Sequence, residues 1–200
     1  MVPVGHYRRE ARAEHPGGES GFAHLTEDDM SDASISDVLQ KISSVMVADP
    51  EKAHTKGTPA TARLVEGLQF EVTGPTGESA LTDMPTAMGG GSSAPAPAWL
   101  LRAAIASCTA SVIAMRAAQI GVHLKTLEAT VESEVDQRGM LGLGESVSAA
   151  FTTMRLRVRI AAANVAPEDL SALVRWGDAH SPVASTVRDS PVTSVEVEIV

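Results

Sequence analysis

"PAWLLRAAIASCTAS", residues 97–111, lies in the most apolar part of the chain and holds its only cysteine, Cys108. A proline opens it, at a place where a helix tolerates the missing N–H. The apolar run continues to about Gln119, and Gly121 offers a C-terminal stop. The reading is one long helix, Ala98 to Gln119. Trp99 to Ala118 is also the nearest the sequence comes to a membrane span, but it carries Arg102 and Arg116, so no membrane crossing is expected. Whether Cys108 is a reactive thiol or a small hydrophobe filling a gap is the question this stretch poses.

Upstream, "TARLVEG" and "LQFEVTG" alternate apolar and polar residues around Glu66-Gly67, which predicts a hairpin, and "ESALTDMP" reads as a third strand. "TAMGGGSSAPAPA" is a Gly/Ser/Pro loop leading into the helix. Its triple glycine lacks the Lys-Ser/Thr of a phosphate loop. Residues 1–30 are polar and aperiodic and read as a tail. Residues 31–57 are an extension in which Ile35, Val38, Leu39, Ile42, Val45 and Met46 fall at helical spacing, with Ser31, Asp32 or Ser34 as N-cap and Asp49-Pro50 as stop.

Downstream, "LKTLEATVESEVD" alternates as a strand with an acidic outer side. "AFTTMRLRVRI" sets Leu156, Val158 and Ile160 against Arg155, Arg157 and Arg159. Acidic and basic outer faces predict cross-strand pairing. "QRGMLGLGES" between them reads as a loop. "APEDLSALVRWGDAH" is a helix opened by Pro167, "SPVASTVRD" follows, and "PVTSVEVEIV" reads as a closing strand. Runs of strands separated by helices indicate an α+β domain, residues 58–200.

The composition excludes several classes. The chain has 200 residues, 44% of them hydrophobic but only 3% aromatic, enough for one domain whose core is built from Ala, Val, Leu, Ile and Met. A net charge of −9 without a basic run argues against nucleic acid and anionic lipid as partners. One cysteine forms no internal disulfide, and the arginine-containing N-terminus has no apolar stretch behind it, so the expected setting is the cytoplasm. His6, His15, His24 and His54 lack metal-ligand spacing, so neither a metal nor a cofactor is expected.

From Thr58 to Val200 the ordered set of segments resembles the OsmC/Ohr family of thiol-dependent peroxidases. The hairpin and third strand end in "TDMP", like the family's Asp-x-Pro. "PAWLLRAAIASC" matches Pro-x-x-Leu-Leu-x-Ala-Ala-x-x-x-Cys, and "HSPVAST" looks like the segment with the family's second cysteine. The resemblance implies antiparallel sheets around a long buried central helix, an intertwined homodimer, and two active sites at the subunit interface. It implies a peroxidatic cysteine, a resolving cysteine, and a glutamate that holds an arginine near the thiolate. Carried over, Cys108 matches the peroxidatic residue and Ser181 stands where the resolving cysteine would be. Ala98 occupies the glutamate position, and Arg63 is the nearest candidate for the arginine.

A thiolate attacks a peroxide only if a nearby cation or helix terminus favours its ionised form. Cys108 lies mid-helix, so activation would come from Arg63, from His180, or from the hydroxyls of Ser107, Thr109 and Ser111. Without a resolving thiol, a sulfenic acid at Cys108 must be reduced by an external thiol or dithiol. Two functions follow. One is a one-cysteine peroxidase reducing organic hydroperoxides in the oxidative stress response. The other is a catalytically lapsed relative that binds a small apolar ligand at the dimer interface, with Trp99 walling the pocket and Met84, Met88, Met115 or Met140 lining it. A hydrolase built on His180 and Ser181 is a third reading, against which stands a Ser181 that merely caps a helix.

Overall fold

The computed structural model describes residues 34–200, so the expected tail lies outside the described residues. Helix α1 (Ile35–Ala48) begins at Ser34 with a reciprocal cap: the Ser34 hydroxyl accepts from the Asp37 N–H, and the Asp37 carboxylate accepts from Ser34 N–H and Oγ. The helix ends at Asp49, before a short 3-10 turn over Pro50–Ala53. Its half-buried side, Val38, Leu39, Ile42 and Met46, belongs to a helix that packs on α2 (Pro97–Gln119).

β1 (Thr61–Glu66), β2 (Gln69–Thr73) and β3 (Ser79–Thr82) form an antiparallel sheet in that order. Gly67, with φ +54°, makes the tight turn between the first two. The register places Leu64 opposite Phe70, and Ala62 opposite Val72, which in turn faces Ala80. Ala62, Leu64, Phe70, Val72 and Ala80 therefore share one face. This apolar face is poorly covered: every residue of β1 is exposed, Leu64 by 63%.

The "TDMP" loop is fastened by Asp83, whose buried carboxylate accepts hydrogen bonds from the N–H groups of Met84, Gly91 and Ser93 and from Ser93 Oγ. Gly90 must be glycine, because a Cβ there would collide with the Met84 carbonyl. The loop thus delivers the chain to Pro97 in a fixed direction.

β4 (Leu124–Val135) and β5 (Phe151–Ala162) form a second antiparallel sheet. The segment that joins them is not a plain loop, as its sequence suggests, but includes one helical turn, Gln137–Met140, capped by Asp136. The predicted charge pairing is present: Arg159 reaches Glu128 at 2.7 Å and Arg157 reaches Glu132 at 3.6 Å on the exposed face. The other face packs on the helices. Ile113 and Ala117 of α2 are buried with Leu173 of α3 (Pro167–Ala179), against Leu127, Val158 and Ile160 of the sheet. A last helix, α4 (Pro182–Arg188), also packs on α2.

Two further expectations are corrected. Residues 190–200 form no strand: Val195, Val197 and Ile199 are each at least 79% exposed, because nothing among the described residues pairs with them. Helix α2 is also long and apolar enough, by length and composition, to cross a membrane, despite its two arginines. Here it is instead the helix on which α1, β4, α3 and α4 all pack.

Candidate functional site

Helix α2 is buried along one stripe, Ile105, Thr109, Ile113 and Ala117, at the i, i+4 spacing of a single helix face. Cys108 lies beside that stripe and not in it. Its thiol is free and only partly buried. The neighbouring Thr109 is fully buried, and its Oγ1 has no hydrogen-bond partner among the described residues. Ser107 donates back to the Ala104 carbonyl, 3.3 Å away. Of the two arginines on this helix, Arg102 donates to Ser133 Oγ on β4 at 3.1 Å and Arg116 to Gln119 at 3.4 Å.

Ser181 follows a close helix crossing of α3 on α2. Gly177 of α3 lies on Ile113, near enough that a Cβ at 177 would collide with the isoleucine side chain. Four residues later Ser181 is completely buried. It caps α4, with Oγ accepting from the Ala184 N–H at 3.4 Å. The capping role weighed from sequence is thus the one its hydroxyl performs.

His180 closes α3. Its ring stacks on Trp176 with centroids 4.0 Å apart and planes 12° from parallel, while Nδ1 lies 2.7 Å from the Trp176 carbonyl oxygen. The Arg116 guanidinium lies over the same indole, 4.9 Å from its centroid. The sequence reading does not single out this stack. The spacing of Trp176 and His180, four residues apart on a helix, is the signal that could have found it.

Arg63 is elsewhere. It stands on β1, its side chain exposed, and donates to Thr73 Oγ1 at 3.0 Å across the strand pair. It belongs to the sheet whose apolar face is left open. Ala98 sits in the first turn of α2 and offers no charge, and Trp99 beside it is half exposed. Within one chain, then, Ser181 caps a helix that packs on the one bearing Cys108, and Arg63 stands in a separate sheet.

Between β5, α3 and α4 lies a groove of about 570 Å³. Its apolar floor includes Ile105, one turn before Cys108, with Leu156, Val158 and Val187. Arg155 and Arg175 stand in its wall, and Arg188 is held there by Asp178 at 3.0 Å.

The model of the family described as "OsmC-like protein" matches residues 89–196, more than half of the chain and all of the segment from the glycine loop to α4. The chain belongs to the OsmC-like family. Solved members share the fold. The OsmC-like protein from Mycoplasma pneumoniae superposes with a TM-score of 0.58 at 14% identity, over 68% of this chain and 89% of that one. An organic hydroperoxide resistance protein OsmC from Legionella pneumophila gives 0.52 at 21% identity, over 67% and 90%. An organic hydroperoxide resistance protein from Elizabethkingia anophelis gives 0.52 at 16%, over 68% and 91%. Identities this low establish the OsmC fold and not the activity. No curated protein matches the chain.

Proposed function

We propose that this OsmC-like protein is a one-cysteine, thiol-dependent peroxidase acting on organic hydroperoxides. The observation that carries the reading is the place of Cys108. A cysteine used only for packing belongs in the stripe of Ile105, Thr109, Ile113 and Ala117, whereas Cys108 lies off it and is partly accessible. It also occupies the position that the family resemblance assigns to the peroxidatic thiol.

In the proposed cycle the Cys108 thiolate attacks the terminal oxygen of the hydroperoxide. The O–O bond breaks, the alkoxide leaves and takes up a proton as the alcohol, and Cys108 becomes a sulfenic acid. One external thiol condenses with it, releasing water and leaving a mixed disulfide. A second thiol displaces Cys108 and carries away the external disulfide. Ser181 has no thiol to contribute, so the reductant must come from outside.

The same reading makes the working unit a homodimer with residues 58–200 as its domain. The open apolar face of β1–β3 needs a cover, and Arg63 lies in that sheet. A second copy supplying Arg63 to Cys108 would place a guanidinium where it favours the thiolate. A cytoplasmic setting suits a lone reduced thiol. The rival reading, a lapsed member that binds an apolar ligand, draws on Ala98 and the half-exposed Trp99, which replace a glutamate site with apolar surface. A hydrolase is the weakest of the three, since the Ser181 hydroxyl is buried in its cap and His180 Nδ1 points to the Trp176 carbonyl.

The test is intact mass after brief exposure to a stoichiometric organic hydroperoxide, with Cys108→Ser as control. Rapid gain of one oxygen, dependent on Cys108 and reversed by a small thiol, is the expected result. An unchanged mass would overturn the peroxidase and leave the ligand-binding reading.

A further inference from the structure

A second cavity, of about 450 Å³, lies at the far end of α2, where the chain leaves for β4 and returns from β5 into α3. Ile120 and Val122 line it from the end of α2 and the turn that follows, Val165 from the segment before α3, and Leu173 from α3 itself. On α3, Asp169, Ala172, Leu173 and Trp176 follow at i, i+3, i+4 and i+7, so they form one wall. Trp176 closes one end of that wall, and Asp169 stands two turns earlier, about 10 Å along the helix axis.

The two charges of the cavity differ in what holds them. Asp169 is exposed and lies in the first turn of α3, where the unpaired backbone N–H groups favour a carboxylate. Arg116 is half-buried, with its guanidinium 4.9 Å from the centroid of the Trp176 indole, and the His180 ring stacked on that indole holds it in place. Arg116 donates one long hydrogen bond, 3.4 Å to Gln119, and no carboxylate pairs with it among the described residues. It is a positioned cation, partly out of water, with most of its N–H donors unused.

We propose that this cavity binds a medium-chain aliphatic monocarboxylate. The carboxylate pairs with Arg116 at the Trp176 end, and the chain runs along Ala172 and Leu173 between Ile120, Val122 and Val165. An extended chain of about eight carbons fills the roughly 10 Å from Trp176 to Asp169. Asp169 at the far end selects against a second carboxylate, because two like charges there repel with no cation between them. The site is separate from the thiol: Arg116 lies two helical turns beyond Cys108, about 12 Å along α2. It goes beyond the peroxidase reading and needs no residue of a second copy.

The experiment uses the full chain carrying Trp99→Phe, which leaves Trp176 as its single tryptophan, and octanoate as the probe. Titration should give a saturable change in tryptophan emission and a matching heat by calorimetry, with one octanoate per chain and a Kd of about 0.1–1 mM. 1-Octanol, which lacks the anion, and octanedioate, which adds a second one, should each bind about tenfold more weakly or worse. Arg116→Gln should weaken octanoate to the level of octanol, and Asp169→Asn should bring octanedioate closer to octanoate. Ala172 is exposed in the cavity wall, so Ala172→Phe should fill the space without touching the buried stripe of α2, and should abolish binding. Thermal melting by circular dichroism shows that each variant folds. No saturable octanoate binding up to about 10 mM would overturn the site. Octanol binding as tightly as octanoate would overturn the carboxylate, and octanoate binding that survives both Arg116→Gln and Ala172→Phe would overturn the place assigned to it.

Discussion

Ile113 and Gly177 are in contact where α2 crosses α3, and the crossing has no room for a Cβ on Gly177. This contact joins the helix that bears Cys108 to the helix that leads to Ser181. Gly177→Ala should therefore destabilise the fold by about 1–3 kcal/mol through overpacking, although alanine is the better helix former. Thermal unfolding of Gly177→Ala, Ile113→Ala and the double variant checks the cause. The double variant should lose less than the sum of the singles, because removing the Ile113 side chain opens the space that the new methyl needs. Strict additivity would show that the crossing relaxes freely.

Asp83 should control the acid stability of the loop before α2. The N–H and hydroxyl of Ser93, then the N–H groups of Gly91 and Met84, hold its carboxyl below the ordinary value of 3.8. A carboxylate depressed in the folded state contributes stability that is complete above its unfolded pKa and is lost as pH falls through the folded one. Urea unfolding followed from pH 7 to pH 3 should show wild type weakening below about pH 4. Asp83→Asn should be less stable at pH 7 and should lose less on acidification. Equal slopes for the two proteins would remove Asp83 from this role.

Much of this architecture is legible in the sequence, for reasons that particular residues make plain. Period-two alternation marks β4 and β5 so strongly that even the pairing of their acidic and basic faces, seen at Glu128 and Arg159, can be expected. Proline and glycine at Pro97 and Gly121 bound α2 nearly to the residue. The closing segment is no strand here because alternation reports that a segment can bury one face, not that a strand stands beside it. The candidate site is only half legible. Cys108 is placed by the segment that carries it, and Ser181 by the residues after α3. The i, i+4 spacing of Trp176 and His180 is local, but the place of Arg116 over that indole depends on how two helices cross, which no local pattern encodes.

Helix α1 should stabilise the domain through its half-buried side. Removing residues 1–50 takes away this helix, with half-buried Leu39, Ile42 and Met46, and exposes the part of α2 on which it packs, at a cost of about 2–4 kcal/mol. Denaturant unfolding compares the two proteins, and light scattering shows whether the shortened chain still self-associates. Unchanged stability together with unchanged association would mean that the helix packs without contributing.

Arg63 should matter to chemistry and not to folding. Its side chain is exposed and makes one hydrogen bond, to Thr73, so Arg63→Ala should alter stability by no more than about 0.5 kcal/mol. If a second copy presents it to Cys108, the rate of hydroperoxide-dependent oxidation should fall by about 10²-fold, with Arg63→Lys recovering part of the loss. Stopped-flow measurement at several pH values separates this from a merely structural effect. Loss of a cation beside the thiol should move the rate profile to higher pH, while a structural role would leave the profile in place. A variant as fast as wild type would assign the cation to another residue.

Ser181→Cys should convert a one-cysteine cycle into a two-cysteine cycle. Ser181 is buried at the start of α4, on a helix that packs against the one bearing Cys108. A thiol there could condense with the Cys108 sulfenic acid, provided that the two Cα atoms come within the roughly 4.4–6.8 Å a disulfide spans. Replacing the hydroxyl weakens the α4 cap, at a cost of about 1 kcal/mol in the reduced protein. Free thiols counted after one equivalent of hydroperoxide should fall from two to none, and a single cross-linked peptide should join Cys108 to the introduced thiol. Turnover should then draw on a dithiol in preference to two separate monothiols, since a dithiol opens an internal disulfide through one mixed intermediate. Oxidation of Cys108 beyond the sulfenic acid with the introduced thiol still free would mean that the two positions do not meet, and that this chain's site departs from the two-cysteine arrangement by geometry as well as by one atom.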